Sequence, residues 1–170
     1  MIICKGGDAM QLHIRQRIFS WTDRYDVQDE TGEARYEVRS ALFSLGHQIH
    51  VYHKRADEHQ EEVGCIRQKL LTLMPAFQVE VNGQILGTVR REFTLFKPRY
   101  HVDYLGWDVE GDLMGWDYRV TKNGRQILSI SKDVFRLSDT YTLTYADPSV
   151  EIPGLLLVLA IDAANCSHNE

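Results

Sequence analysis

Residues 66–79 read IRQKLLTLMPAFQV, and the same fourteen-residue frame occurs without internal gaps in four other places. The other copies are 14–27 (IRQRIFSWTDRYDV), 38–51 (VRSALFSLGHQIHV), 89–102 (VRREFTLFKPRYHV) and 130–143 (ISKDVFRLSDTYTL). Positions 1, 5, 12 and 14 are apolar in every copy. Position 5 is Ile18, Leu42, Leu70, Phe93 and Val134; position 12 is Tyr25, Ile49, Phe77, Tyr100 and Tyr141. Position 14 is Val27, Val51, Val79, Val102 and Leu143. A degraded copy at 109–120 (VEGDLMGWDYRV) fills the wide gap before the last one.

Apolar residues alternate with polar ones at both ends of the frame, which is the strand period and not the helical one. Its middle carries turn chemistry, as in Gly46-His47, Met74-Pro75, Lys97-Pro98 and Ser138-Asp139. Each unit is therefore strand, reversal, strand. Between units lie Thr31-Gly32, Asn82-Gly83 and Asn123-Gly124, and the two Asn-Gly pairs are strong hairpin signals. Six such units predict about twelve antiparallel strands, and closing so long a sheet into a barrel removes its exposed edges.

The strand pattern stops at 152–166, IPGLLLVLAIDAANC, which is apolar on all sides apart from Asp162. It is short of the roughly twenty residues that span a bilayer as a helix. A helix hydrophobic all round has to be buried. Asp147-Pro148-Ser149 marks a break before it, and Pro153 suits a first helical turn. A barrel of about twelve strands is too wide for its own side chains to fill, so the helix is expected inside it. Leu155, Leu156, Leu157, Leu159 and Ile161 then form its packing surface, with Asp162 among them.

The repeated strands, the terminal apolar helix, the motif Phe96-Lys97-Pro98-Arg99-Tyr100 and the run Gly106-Trp107-Asp108-Val109-Glu110-Gly111-Asp112 together resemble the LOR family. The likeness runs from about Met10 to Cys166 and is greatest to small bacterial members. It implies the tubby C-terminal-like fold, shared with the tubby proteins and the phospholipid scramblases. The expected architecture is thus a mainly β, closed antiparallel barrel around a buried C-terminal hydrophobic helix, in a single domain over 10–166.

With 170 residues, 44% of them hydrophobic, the chain can bury a substantial single core. A formal net charge of −5 argues against a general nucleic-acid binder. Cys4, Cys65 and Cys166 are odd in number and widely spaced, without a CxxC pair, which favours a reducing compartment. No signal peptide is visible at the N-terminus. Lys5-Gly6-Gly7-Asp8 can be encoded by a bacterial ribosome-binding sequence. Met10 is therefore the expected natural start, and residues 1–9 a translated leader.

Position 2 of the frame holds Arg15, Arg39, Arg67 and Arg90, with Arg17, Lys69, Arg91, Lys97 and Arg99 close by. Position 2 points away from the barrel interior, so these side chains form an outer band suited to phosphate groups. Tubby proteins bind phosphoinositides on a basic face of this fold, and the resemblance implies a similar surface here. Lys97 and Arg99, with Arg90, Arg91, Arg67 and Lys69, are the expected anionic-lipid-binding set. The plainer alternative is that these cations solubilise outer strand faces and pair with nearby acids.

Asp108, Glu110 and Asp112 alternate along a strand and share one face, which makes them a weak calcium candidate. His47, His50 and His53 do not form a chelating run, because His50 points opposite to the other two, which stand about 20 Å apart. Nucleophile-elbow, P-loop, dinucleotide and HExxH motifs are missing, which lowers the odds of an enzyme. No cofactor is expected. Trp21 sits in the slot filled elsewhere by Leu45, Leu73, Phe96 and Leu137, and reads as a packing residue. Trp107 and Trp116 are expected to be partly exposed. Asp162 is expected near the barrel mouth, capping a loop or meeting an arginine; a latch holding the helix inside is the sharper reading.

The function expected is therefore a non-enzymatic binding or scaffold module, docking on anionic phospholipid or on a protein partner. Its expected location is the cytoplasm, peripherally at the inner face of the membrane, with no transmembrane span. A scramblase-like membrane-active protein, and a small-ligand carrier or enzyme with a pocket at the barrel mouth, remain alternatives.

Overall fold

A computed structural model describes residues 9–15, 24–43, 46–55, 60–92, 99–133 and 140–167. Twelve strands appear in them: β1 (Met10–Arg15), β2 (Arg24–Asp29), β3 (Ala34–Phe43), β4 (Gly46–His53), β5 (Glu61–Gln68) and β6 (Ala76–Val81) form the first half. The second half is β7 (Gln84–Glu92), β8 (Arg99–Tyr104), β9 (Trp107–Asp112), β10 (Asp117–Lys122), β11 (Arg125–Asp133) and β12 (Thr140–Tyr145). Every strand pairs antiparallel with its sequence neighbours except β8 with β9, and β1 pairs with β12 from Met10↔Tyr145 to Arg15↔Thr140, which joins the first strand of the chain to the last.

The six repeat units are the hairpins β1–β2, β3–β4, β5–β6, β7–β8, β9–β10 and β11–β12. In every one, the first residue of the frame pairs with the last: Ile14↔Val27, Val38↔Val51, Ile66↔Val79, Val89↔Val102, Val109↔Val120 and Ile130↔Leu143. These pairs ring the interior, and all but Val102 and Val109 are buried. Asn82-Gly83 and Asn123-Gly124 make the tight turns expected, with positive φ at both residues of each pair.

Closure stops one ladder short. Leu105 (φ 53) and Gly106 (φ 65) have the backbone signs of a two-residue hairpin turn, yet no ladder joins β8 to β9. A hairpin across that turn would set Asp103 opposite Asp108, and like charges directly opposite are destabilising. The barrel keeps an open seam between β8 and β9, flanked by the half-buried Val102 and Val109.

A 3-10 turn at Pro148–Val150 leads into α1 (Glu151–Cys166), which runs through the barrel from its lower end. Sixteen residues make a rod of about 24 Å at 1.5 Å each. Leu155, Leu156, Leu157, Leu159 and Ile161 have no exposed surface. Gly64 lets α1 approach the wall, since a Cβ there would lie 2.5 Å from Leu156 Cδ1. The Tyr104 hydroxyl donates to the Pro153 carbonyl at 2.8 Å, tying β8 to the first turn of α1. With its 3-10 lead, Pro148–Cys166 spans 19 residues and is long and apolar enough to cross a bilayer. The stretch 152–166 counted alone is too short to span; in the fold α1 packs inside the barrel, while Pro148 and Ser149 are exposed.

Trp107 and Trp116 are 7% and 3% exposed, against the partial exposure expected of them. Trp116 stacks on Tyr141 with centroids 4.3 Å apart, and Trp107 meets Tyr104 edge-on at 5.4 Å. Large apolar area near the seam and upper mouth favours burial over display.

Candidate functional site

The upper end of the barrel carries the C-terminus of α1 and the β5–β6 connection, residues 69–75 (KLLTLMP). That connection is pinned at its base, where Lys69 N donates to Ala76 O at 2.8 Å and Arg91 N to Pro75 O at 3.0 Å. Above the base the chain turns outward. Leu70 is 50% exposed, while Leu71 and Leu73 are fully exposed. Leu71 also holds φ at 61°, a costly conformation for a leucine. The repeat pattern predicted packing for Leu70 (position 5) and for the slot of Leu73. Both are exposed because the reversal projects beyond the rim, where the wall offers nothing to cover them. Trp21, Leu45, Phe96 and Leu137, the other members of that slot, lie outside the described residues.

Beneath the leucines a pocket of about 490 Å³ is lined by Thr72, Leu73, Met74, Arg90, Arg91 and Glu92. Arg90 is exposed on the outer face of β7, and Arg91 faces the mouth, where its charge acts on Tyr100. Lys69 and Arg99 are exposed at the same end. Lys69, Arg90, Arg91 and Arg99 form no salt bridge among the described residues. Arg67 differs: its Nε lies 3.3 Å from Glu80 Oε2, and Arg39 pairs with Glu37 beneath Tyr52. For those two arginines the plain reading of charge pairing on an outer face applies. Lys97 lies outside the described residues.

Asp108, Glu110 and Asp112 share the outer face of β9, exposed, as the alternation predicts. They line a larger cleft of about 920 Å³ along the seam, together with Tyr100, Val102 and Trp107. Two of the three acids have other work. Glu110 Oε2 accepts from Arg119 Nη2 at 2.7 Å, and Asp112 Oδ1 accepts from the amides of Met114 and Gly115 at the next turn. A pocket was anticipated at the barrel mouth; this one follows the unpaired strand edges.

Asp162 is 2% exposed and meets no arginine among the described residues. Its Oδ1 lies 3.9 Å from Cys166 Sγ, and burial pushes its carboxyl up to about 8. The carboxyl is thus neutral at physiological pH, which is how it lies among apolar and tyrosine side chains instead of capping a loop. Sequence reasoning missed Glu151, the first residue of α1, which is 3% exposed. It lies 2.9 Å from Arg35 Nε and accepts hydrogen bonds from the hydroxyls of Tyr36 and Tyr145. The signal available was an acid at a helix start preceded by Asp147-Pro148.

His47 and His53 do face opposite to His50, as strand alternation requires. His50 instead gains partners from β5, which the sequence did not reveal.

These features define a class: a nearly closed antiparallel β-barrel plugged by its own C-terminal helix. Residues 10–162 match the model of the LURP-one-related (LOR) family, and the chain belongs to that family. It is similar to the uncharacterized protein YxjI of Bacillus subtilis (strain 168), with 26% identity over 137 residues, covering 81% of this chain and 82% of YxjI. Among solved structures it is similar to a protein from Arabidopsis thaliana, with a TM-score of 0.60, 14% identity and 91% of each chain covered. At that identity the likeness speaks for the fold alone.

Proposed function

We propose that the barrel is a binding module that docks peripherally on anionic phospholipid through its upper rim. The observation that carries this reading is the pairing of fully exposed Leu71 and Leu73 with Lys69, Arg90 and Arg91 at one end of the molecule. Two bare leucines beside cations that form no salt bridge among the described residues suit a surface that is apolar inside and anionic outside. Each leucine that enters the acyl boundary is worth about 1.5–3 kcal/mol. Each cation near an anionic leaflet adds about 1 kcal/mol, and guanidinium groups add bidentate hydrogen bonds to phosphate. Arg99 extends the same rim. The helix stays inside the barrel on this reading, and the unpaired thiols of Cys65 and Cys166 suit the inner face of the membrane.

The test is co-sedimentation with liposomes of graded anionic lipid content at low and physiological salt. Wild type is expected to bind more as anionic content rises and less as salt rises. Lys69→Glu/Arg90→Glu/Arg91→Glu is expected to lose binding, and Leu71→Ser/Leu73→Ser to weaken it at every lipid composition. Binding that is absent throughout, or unchanged in both variants, discards the reading. The seam cleft favours a second reading, a carrier of a small ligand held between β8 and β9, for which its volume of about 920 Å³ is sufficient.

A further inference from the structure

On the outer wall, β4 and β5 bring three chemically distinct ligand groups together. His50 and Cys65 are direct cross-strand partners. The register then shifts between Val51 and Tyr52, so that Val51 pairs with Gly64 but Tyr52 pairs with Glu62. The extra residue, Val63, is a β-bulge. Simple alternation from Cys65 would turn Glu62 to the interior; the bulge returns it to the outer face beside His50.

The result is compact. His50 Nδ1 lies 3.1 Å from Glu62 Oε2, and His50 Nε2 lies 4.0 Å from Cys65 Sγ. One ligand atom from each of the three residues lies within 4.8 Å of the others. The site is reachable from outside through His50 and Glu62, whose side chains are 21% and 43% exposed, while Cys65 forms its floor. Cys65 also pairs across the ladder with Glu80, which keeps a second carboxylate and Arg67 at its border.

We propose that Cys65, His50 and Glu62 form a binding site for one borderline transition-metal ion of the zinc type. Thiolate, imidazole and carboxylate are the ligands such an ion takes, at roughly 2.0–2.3 Å. A tetrahedral set at those lengths has its ligands roughly 3.3–3.8 Å apart, so small side-chain rotations contract the present trio onto an ion. Three protein ligands leave the fourth position to solvent. The same trio, read in order, also resembles a nucleophile, base and orienting acid. A metal fits better, because the thiol is nearly enclosed at 3% exposure and offers a substrate little access.

The experiment is titration of the reduced full-length protein with Co²⁺ alone, following the thiolate-to-cobalt charge-transfer absorption. Wild type and Cys4→Ser/Cys166→Ser are expected to develop the band, saturating at one ion per chain and bleached by Zn²⁺. Cys65→Ser is expected to lose it, and His50→Gln and Glu62→Gln to need at least tenfold more Co²⁺. His50→Gln and Glu62→Gln alter only outer-face side chains, so they decide the matter if Cys65→Ser fails to fold. No band at excess Co²⁺, a band that survives Cys65→Ser, or affinities unchanged in both His50→Gln and Glu62→Gln would overturn the site.

Discussion

Arg35 Nε lies 2.9 Å from Glu151 Oε1, and this ion pair ties the wall strand β3 to the first residue of the helix that fills the barrel. Glu151 is buried, whereas the Arg35 side chain is 40% exposed. The carboxylate also sits at the helix N-terminus, where the backbone dipole favours negative charge. Tyr36 and Tyr145 donate to it, and both hydroxyls are pushed well above their usual range, first by burial and then by that hydrogen bond.

Glu151→Gln keeps the shape and removes the charge. Breaking a fully buried pair costs several kcal/mol, but half-exposed Arg35 recovers water, so the expected loss is about 1–3 kcal/mol. For a chain of this size that lowers Tm by about 2–4 °C per kcal/mol, read by thermal melting at pH 7. An unchanged Tm would show that the helix is held by apolar packing alone.

Asp162 makes stability depend on pH in a particular direction. Unfolded, its carboxyl ionises near 4; folded, it keeps its proton to about 8. Between those values the folded state binds more protons, so this group makes the protein less stable as pH rises, levelling off above about 8. The groups around it, Tyr118, Tyr141 and Cys166, supply no positive charge to oppose the trend. Asp162→Leu is expected to remove that slope and to be the more stable protein at pH 9, by denaturant titration across the range. A less stable leucine variant at pH 9 would instead restore the latch reading.

Gly87 has φ 159, and a Cβ there would lie 2.1 Å from the Asp103 carbonyl oxygen and 2.6 Å from Tyr104 Cα. Both obstacles are backbone of β8, so side-chain rotation relieves neither. Gly87→Ala is expected to cost about 3 kcal/mol, seen as a fall in the urea midpoint with little change in slope.

Leu71→Ser/Leu73→Ser should behave in the opposite way. Neither side chain has any packing to lose, so stability is expected to stay within about 0.5 kcal/mol of wild type. A large destabilisation would mean that the loop is covered in solution and would remove it as a docking element.

The seam is testable by hydrogen exchange. Amides on the free edges of β8 and β9 are expected to exchange faster than those of β3 and β4, which pair on both sides. If repulsion between Asp103 and Asp108 keeps the seam open, Asp103→Asn/Asp108→Asn should slow exchange there. Unchanged rates would point to Gly111 and the adjoining turn instead.

The fourteen-residue frame was enough to read about twelve antiparallel strands, because a period of two with apolar ends has one economical solution, and the all-apolar run 152–166 marked the helix. The rim cations were legible too, through their place in the frame. Trp107 and Trp116 were not, since neither occupies one of the four apolar positions of the frame and so carries no signal of which face it takes. Leu70 and Leu73 misled for a different reason: the frame marks a position as apolar without saying whether the strand has already left the wall.

Sequence alone thus determined local periodicity, and with it the barrel and its plug, since alternation and helical apolarity are properties of neighbouring residues. Only the tertiary structure decided what depends on distant segments meeting. The seam lies where one turn leaves β8 and β9 unpaired, and the Arg35–Glu151 tie joins residues 116 positions apart. The meeting of His50, Glu62 and Cys65 depends on a single bulged residue, Val63, whose effect is to reverse the face of everything before it.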